Sequence, residues 1–121
     1  MACMPRIVLL GFLTTTLIAC QSRSLYSWGS YESSIHRFYN SEGGFQIERD
    51  IERLSHEISR TPAEKIPPGK AAHLGYLYAL QGDHAVAENY FKMERSLFPE
   101  SQVFIDRVID MNRASAERRD G

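Results

Sequence analysis

Two kinds of side chain in this sequence are candidates for chemistry, a thiol at Cys20 and imidazoles at His36, His56, His73 and His84. Two histidines hold a metal on one helix when they stand in the H-E-x-x-H pattern. His56-Glu57 comes nearest to that pattern, but Arg60 stands where the second histidine is needed. We therefore expect no metal site and no cofactor, and we expect histidines that are solvated or at the edge of the fold.

Signatures of enzymes are missing from the rest of the sequence. There is no G-x-S-x-G motif of a hydrolase nucleophile. Gly43-Gly44 and Gly69 lack the strand–loop–helix context of a phosphate-binding loop. We expect a protein that is not an enzyme, and a cleft holding a paired base and nucleophile would revive the alternative.

An apolar N-terminal segment precedes Cys20. Arg6 supplies a positive charge, and Ile7 to Ile18 form an apolar run of about a dozen residues, within the ~7–15 typical of a secretory signal. A helix that spans a bilayer needs about 20 apolar residues, so this run is too short. The sequence predicts a removed signal peptide over residues 1–19, with cleavage between Ala19 and Cys20.

The residues Leu17-Ile18-Ala19-Cys20 resemble a bacterial lipobox. The resemblance implies diacylglycerol on the Cys20 sulfur, followed by cleavage and acylation of the new amine. Gln21 stands where Asp would imply retention at the inner membrane, so the resemblance implies a lipid anchor in the outer membrane, with the protein facing the periplasm. The alternative is a plain signal peptide whose cleavage leaves a cysteine.

Composition limits the class of protein further. Of the 121 residues, 43% are hydrophobic and 24% are charged, and the formal net charge is -1. These values are typical of one compact domain. Charges of both signs are spread along the chain, which does not favour a nucleic-acid partner. Cys3 lies in the predicted signal, so no disulfide forms within the mature chain.

Apolar residues recur at helical spacing along most of the chain, which predicts an all-α fold of about five helices arranged as antiparallel hairpins. The expected domain organisation is a lipidated tether at 20–29, a helical domain at 30–113 and a frayed tail at 114–121. The predicted helices are 30–40, 45–59, 70–81, 84–97 and 102–113.

One hairpin resembles a known repeat. Between Pro68 and Ser101 the sequence is similar to a tetratricopeptide repeat of about 34 residues, with matches at Leu74, Gly75, Tyr78, Gly82, Ala87, Phe91 and Pro99. Ala71 and Glu94 depart from the repeat pattern, which indicates an atypical neighbour. The upstream helices are a fainter copy, and the last helix is expected to be a cap. The alternative is a simple five-helix bundle.

The repeat resemblance implies a groove on the inner face of the third helix. Its positions fall on Gly69, Ala72, Tyr76 and Ala79, and these residues favour an apolar or helical protein partner. The alternative is that Tyr76 packs as core under the first or fifth helix. Three aromatic residues lie close to the lipid tether: Tyr26, Trp28 and Tyr31. They are expected to pack on the domain, and the alternative is a position at the membrane interface.

Longer segments resemble a family of small proteobacterial lipoproteins known as a domain of unknown function. They are Leu25 to Tyr31, Pro67 to Gly69, Leu74 to Tyr78 and Leu97 to Arg107. Members of that family are often encoded beside a curli-secretion-channel-like lipoprotein and another small lipoprotein. This association implies shared work at the outer membrane and names no activity. Together with the lipobox and the repeat, it leads us to expect a non-catalytic adaptor or assembly factor for an envelope complex, with a protein partner and no small-molecule substrate. The alternative is a structural envelope lipoprotein without a peptide groove.

Overall fold

A computed structural model describes residues 24–40 and 46–121 of the chain. The predicted signal peptide, Ala19, Cys20 and the Gly43-Gly44 turn lie outside these ranges. Within them there are five α-helices and two short 3₁₀ helices, and no strand. The predicted all-α fold is confirmed. The α-helices are α1 (Tyr31–Asn40), α2 (Ile47–Arg60), α3 (Lys70–Gln81), α4 (His84–Leu97) and α5 (Gln102–Asp120), and the 3₁₀ helices are Ala63–Lys65 and Pro99–Ser101.

Helices α1 and α2 form an antiparallel pair joined by polar contacts at both ends. At one end the backbone N–H of Ser30 donates to Glu57, and at the other Arg37 pairs with Asp50 at 2.6 Å. The apolar residues of α2 recur at helical spacing, so Ile51, Leu54 and Ile58 all face the core. The pair therefore presents one apolar stripe to α3.

Helices α3 and α4 form a tight hairpin. Gly82 ends α3 with a φ of 89°, a left-handed conformation that glycine adopts without strain. Asp83 then caps α4 by accepting a hydrogen bond from the N–H of Val86. In the middle of the hairpin, a Cβ on Gly75 would lie 2.8 Å from Phe91 and 2.9 Å from the carbonyl oxygen of Ala87. Glycine at position 75 is thus required by the close approach of the two helices.

Helix α5 packs antiparallel to α4, because contacts join opposite ends of the two helices. His84 near the start of α4 bonds Asn112 late in α5, and Arg95 near the end of α4 pairs with Asp106 early in α5. Helix α5 thus covers α4 as a C-terminal helix. Since α3 is antiparallel to α4 as well, α3 and α5 run in the same direction.

Two apolar clusters make up the core. The first joins α1, α2 and α3 and contains Tyr31, Ile51, Leu54, Ile58, Ile66, Ala71, Leu74 and Leu77. The second joins α4 and α5 and contains Ala87, Phe91, Ile105 and Ile109. Tyr78 packs against both clusters and stacks on Tyr90 with ring centroids 5.5 Å apart. The domain is therefore continuous across the α3–α4 hairpin.

The last helix is longer than the sequence predicts. Its expected end was near Arg113 with a frayed segment beyond, whereas α5 continues to Asp120. The residues past Arg113 are mostly Ala, Glu and Arg, which are strong helix formers. Arg118 and Arg119 also lie in the last turn, where cations are favourable to the helix dipole. The small and charged composition thus extends a helix here and does not end it.

Candidate functional site: an apolar face across three helices

A groove of about 460 Å³ lies between α3 and α5. Phe104, Val108 and Met111 line it from α5 at spacings of four and three residues, which places them on one side of that helix. Tyr76, Ala79 and Leu80 line it from α3, and Phe91 of α4 also contributes. Phe104 is 66% exposed and Met111 is 69% exposed, so large apolar side chains face solvent here.

The same surface extends from α3 to α1. The ring of Phe38 meets the ring of Tyr76 edge-on at 5.6 Å and that of Tyr39 at 5.2 Å. Tyr39 is exposed. We call this continuous surface the apolar face, and it consists of Phe38, Tyr39, Tyr76, Ala79, Leu80, Phe104, Val108 and Met111. Contiguous exposed apolar surface of this kind marks interaction sites in soluble domains.

The residues predicted to form a groove on α3 have different environments. Tyr76 is 44% exposed, and Ala79 is half-buried. Both line the groove. Ala72 is half-buried and packs against the second core cluster. The fourth predicted position, Gly69, lies at the N-terminus of α3. The groove thus contains Tyr76 and Ala79 together, and Ala72 and Gly69 are not among its lining residues.

The side of the groove formed by α5 was missed at the sequence level. From their helical spacing alone, these residues form one broad apolar stripe: Phe104, Ile105, Val108 and Ile109. In the structure they belong to two stripes, because Ile105 and Ile109 are buried against α4 while Phe104 and Val108 face α3. Met111, one turn past Val108, was the signal for a second stripe.

Glu94 explains one departure from the repeat pattern. Its side chain is on α4 but reaches the N-terminus of α3, where it accepts hydrogen bonds from the backbone N–H groups of Gly69 at 2.6 Å and Ala72 at 3.2 Å. These N–H groups have no partner within the helix, so a carboxylate from another helix caps them. Burial raises the pKa of Glu94, against the effect of these backbone bonds.

A buried polar network joins α1, α2 and α3. The hydroxyl of Ser34 donates to Asp50 at 2.9 Å and lies 3.1 Å from Nε2 of His73. Because the single hydroxyl proton goes to Asp50, His73 donates to Ser34. In a hydrolase triad the histidine stands between the serine and the acid, whereas here the serine is central and fully buried. The arrangement links three helices and does not activate a nucleophile.

The histidines differ in their surroundings. His36 and His56 are exposed as expected. His73 departs from this expectation because it is half-buried, with its ring against those of Tyr31 and Phe38. This burial lowers the pKa of His73, against the effect of the charge of Asp50. His84 is also half-buried, and its Nδ1 lies 2.7 Å from Asn112. Polar contacts between helices, which sequence spacing does not reveal, account for both exceptions.

The segment that precedes α1 is held on the domain by Lys70. This lysine is 1% exposed. It donates to the carbonyl oxygens of Ser27 and Trp28 and pairs with Glu57 at 2.7 Å. Burial alone would raise the pKa of Glu57, but hydrogen bonds from Lys70 and Ser30 lower it.

Aromatic contacts hold the same segment. Trp28 stacks on Tyr31 at 6.1 Å, and Tyr26 meets Phe98 edge-on at 6.5 Å. The expected packing of these rings on the domain is confirmed. Residues 26–29, which were predicted to belong to the tether, therefore pack on the helical body.

Among residues 24–40 and 46–121, no helix has both the length and the apolar character needed to cross a bilayer. The His, Cys, Asp and Glu side chains in these ranges do not form a group of three or more arranged to hold a metal ion.

Comparison with protein families matches residues 25–108 to a domain of unknown function, DUF4810. The match covers most of the chain. The chain belongs to the DUF4810 family. Neither the curated proteins nor the solved structures gave a match.

The DUF4810 match contains most of the apolar face. It includes the part on α1 and α3, together with Phe104 and Val108 of α5, and it ends before Met111. The buried contacts of Lys70 and Glu94 lie within it as well. The DUF4810 match thus includes most of the groove and the interactions that position α3.

Proposed function

We propose that this DUF4810 protein is a lipid-anchored envelope protein that acts as a non-catalytic adaptor or assembly factor, with the apolar face as its binding surface. The observation that carries the proposal is the exposure of large apolar side chains along the groove, including Tyr76, Phe104 and Met111. Leaving such side chains in water is unfavourable by about 25 cal/mol per Å² of apolar surface. A partner that covers them recovers this free energy.

The helix order supports a tetratricopeptide-like arrangement. Tyr31 at the start of α1 contacts His73, and Phe38 later in α1 contacts Tyr76, which is later in α3. Helices α1 and α3 therefore run in the same direction. Helix α5 shares this direction, as its packing on α4 implies. The first helix of each hairpin and the final helix therefore line one face, as in helical-repeat proteins that bind partners on a concave surface.

The proposed anchor is lipid on Cys20, after cleavage behind Ala19. Two or more acyl chains hold a protein stably on a membrane, because each buried methylene contributes about 0.8 kcal/mol. The outer membrane, with the domain in the periplasm, is the proposed location. Fractionation of cells with labelled palmitate tests this: the wild type is expected to be labelled and in the membrane fraction, and Cys20→Ser to lose both properties. An unlabelled wild type would contradict the anchor.

The proposed partners are other envelope proteins. Candidates are the lipoproteins that the family resemblance suggests are encoded nearby, such as a curli-secretion-channel-like lipoprotein. A pull-down of co-produced lipoproteins with Tyr76→Ala tests the surface, with Val103→Ala as the control because Val103 is exposed but does not line the groove. Loss of a partner in Tyr76→Ala alone, with unchanged helicity, is the expected result. The same partners on both variants would favour a structural envelope protein without a groove.

A further inference from the structure

The lining of the groove restricts the backbone of whatever binds there. Its polar side chains are largely engaged: His84 and Asn112 bond each other, and Ser115 donates to the carbonyl oxygen of Met111. An extended peptide would bring N–H and C=O groups against apolar side chains, at about 1–3 kcal/mol for each group left unsatisfied. A helix satisfies these groups within itself, so the lining favours a helical occupant.

The length of the groove suits a short helix. Its lining on α5 extends from Phe104 to Ser115, which is about 16 Å at ~1.5 Å per residue. Three turns of a partner helix cover that distance. Apolar side chains at i, i+3 or i+4, and i+7 of the partner then meet the stripe of Phe104, Val108 and Met111.

The rim of the groove is cationic at both ends. Arg107 and Arg118 are exposed on α5, one helical turn from the lining residues Phe104 and Ser115. Within the described ranges Arg107 makes no ion pair, and Arg118 donates only to Ser115. Asp110 lies between the two arginines in sequence. Hydrogen bonds to Glu88 are the main cause of the raised pKa of Arg113, and the charge of Asp110 also raises it. Across the groove, α3 carries no charge between Lys70 and its C-terminus.

We propose that the groove binds an amphipathic helix of a partner protein, with an apolar stripe flanked by Asp or Glu residues. The acidic flanks complement Arg107 and Arg118 and fix the register of the helix. A second copy of this chain fits less well, because it would bring two cationic rims together. The inference rests on the proposed function, since it names the partner of the same surface.

The test uses the lipid-anchored chain purified from membranes and reconstituted in phosphatidylcholine vesicles. Three fluorescent peptides of about 18 residues, or five helical turns, share one leucine stripe. The first has Glu on both flanks, the second has Lys there, and the third is the Glu peptide with two central prolines that break the helix. Anisotropy is measured with empty vesicles as the blank, at low salt and at about 0.15 M, where screening is stronger.

The Glu peptide is expected to bind at least about tenfold more tightly than the Lys peptide at low salt, a difference of ~1.4 kcal/mol. The proline peptide is expected not to bind. Met111→Gln should weaken binding of the Glu peptide, and Val103→Gln should not. The two residues are similarly exposed, at 69% and 73%, but only Met111 lines the groove. Arg107→Glu combined with Arg118→Glu should reverse the preference, and Arg53→Glu on α2 should leave it unchanged.

Equal affinity for the Glu and Lys peptides would contradict the proposal that the partner has acidic flanks. Binding of the proline peptide as tightly as the Glu peptide would contradict the proposal that the partner binds as a helix. A dimer in sedimentation that the Glu peptide does not dissociate would identify a second copy as the occupant and overturn the proposal. If a photoreactive group at position 104 captures an envelope protein in cells while no peptide binds, the adaptor function stands and the chemistry proposed for its partner is wrong.

Discussion

The carboxylate of Glu94, near the end of α4, accepts a 2.6 Å hydrogen bond from the backbone N–H of Gly69 at the start of α3. Glu94 is 3% exposed, so water does not replace this contact when it is lost. The bond couples the orientation of α3, and hence of Tyr76, to the far end of the neighbouring helix. The bond therefore helps to position α3, which forms one side of the groove.

Glu94→Ala is expected to lower the free energy of unfolding by about 1–3 kcal/mol, because buried N–H groups lose their acceptor. Glu94→Gln keeps one acceptor and should cost less than Glu94→Ala. Urea unfolding monitored by circular dichroism measures both. If Glu94→Ala has the stability of the wild type, the carboxylate is not a structural cap.

The same carboxyl group predicts a pH effect. Because the pKa of Glu94 is raised above its ordinary value of 4.5 in the folded chain, protonated Glu94 contributes stability that is fully present below pH 4.5. That contribution is lost as the pH rises through the folded-state pKa. Urea unfolding across this range should show that the wild type loses stability relative to Glu94→Gln as the pH rises, because the other carboxyl groups titrate alike in both proteins. A parallel pH dependence in both proteins would contradict the assignment.

Lys70→Met is expected to destabilise the protein by about 3–5 kcal/mol, since it leaves Glu57 partly buried without its ion-pair partner. It should also release the segment around Trp28, the only tryptophan of the chain, so its fluorescence reports the change directly. The control is Lys92→Met, which removes an i, i+4 pair between a largely exposed lysine and Glu88. Because Glu88 keeps Arg113 as a partner, the cost should be at most about 0.5 kcal/mol. Unchanged emission in Lys70→Met would show that other contacts hold the segment.

His73 should titrate below 6.5, its ordinary value, because burial lowers its pKa in the folded chain. A depressed pKa of a base means that its contribution to stability is present above pH 6.5 and is lost as the pH falls through the folded-state value. Nitrogen-detected NMR of the imidazole should find the titration midpoint below pH 6.5. In the neutral form the proton should be on Nε2. A proton on Nδ1 would contradict the bond to Ser34.

Gly75→Ala should destabilise the α3–α4 hairpin by about 1–3 kcal/mol, the range for overpacking a well-packed core. The added methyl would meet Phe91 and the backbone oxygen of Ala87 within 3 Å, so the helices must separate. Thermal unfolding measures the loss. A variant as stable as the wild type would mean that the helices separate without cost.

The helices themselves could be predicted from the sequence, because Ile51, Leu54 and Ile58 repeat at helical spacing and Gly82-Asp83 combines a C-terminal glycine with an N-cap. The contacts between helices could not. Glu94 was interpreted as a mismatch in a repeat, since its role depends on the N-terminus of α3, which lies far from it in sequence. His73 was expected near solvent for the same reason: Ser34 and Asp50 reach it only after three helices pack together.

The groove could be predicted in part. Tyr76 and Ala79 were assigned to it from the resemblance of one hairpin to a repeat, and both line it. Phe104 and Met111 were not assigned, because α5 was expected to be a cap that uses its apolar residues for the core alone. A helix with apolar residues on two sides satisfies both α4 and the groove.

We propose that the apolar face binds a protein partner while Cys20 holds the chain at the membrane. A photoreactive phenylalanine analogue at position 104, which faces the groove, is compared in intact cells with the same analogue at position 103, which does not line it. We expect a discrete adduct with an envelope protein from position 104 only, reduced in Tyr76→Ala and in Cys20→Ser. Identical adducts from both positions, or none from position 104 when other envelope lipoproteins are co-produced, would contradict the proposal.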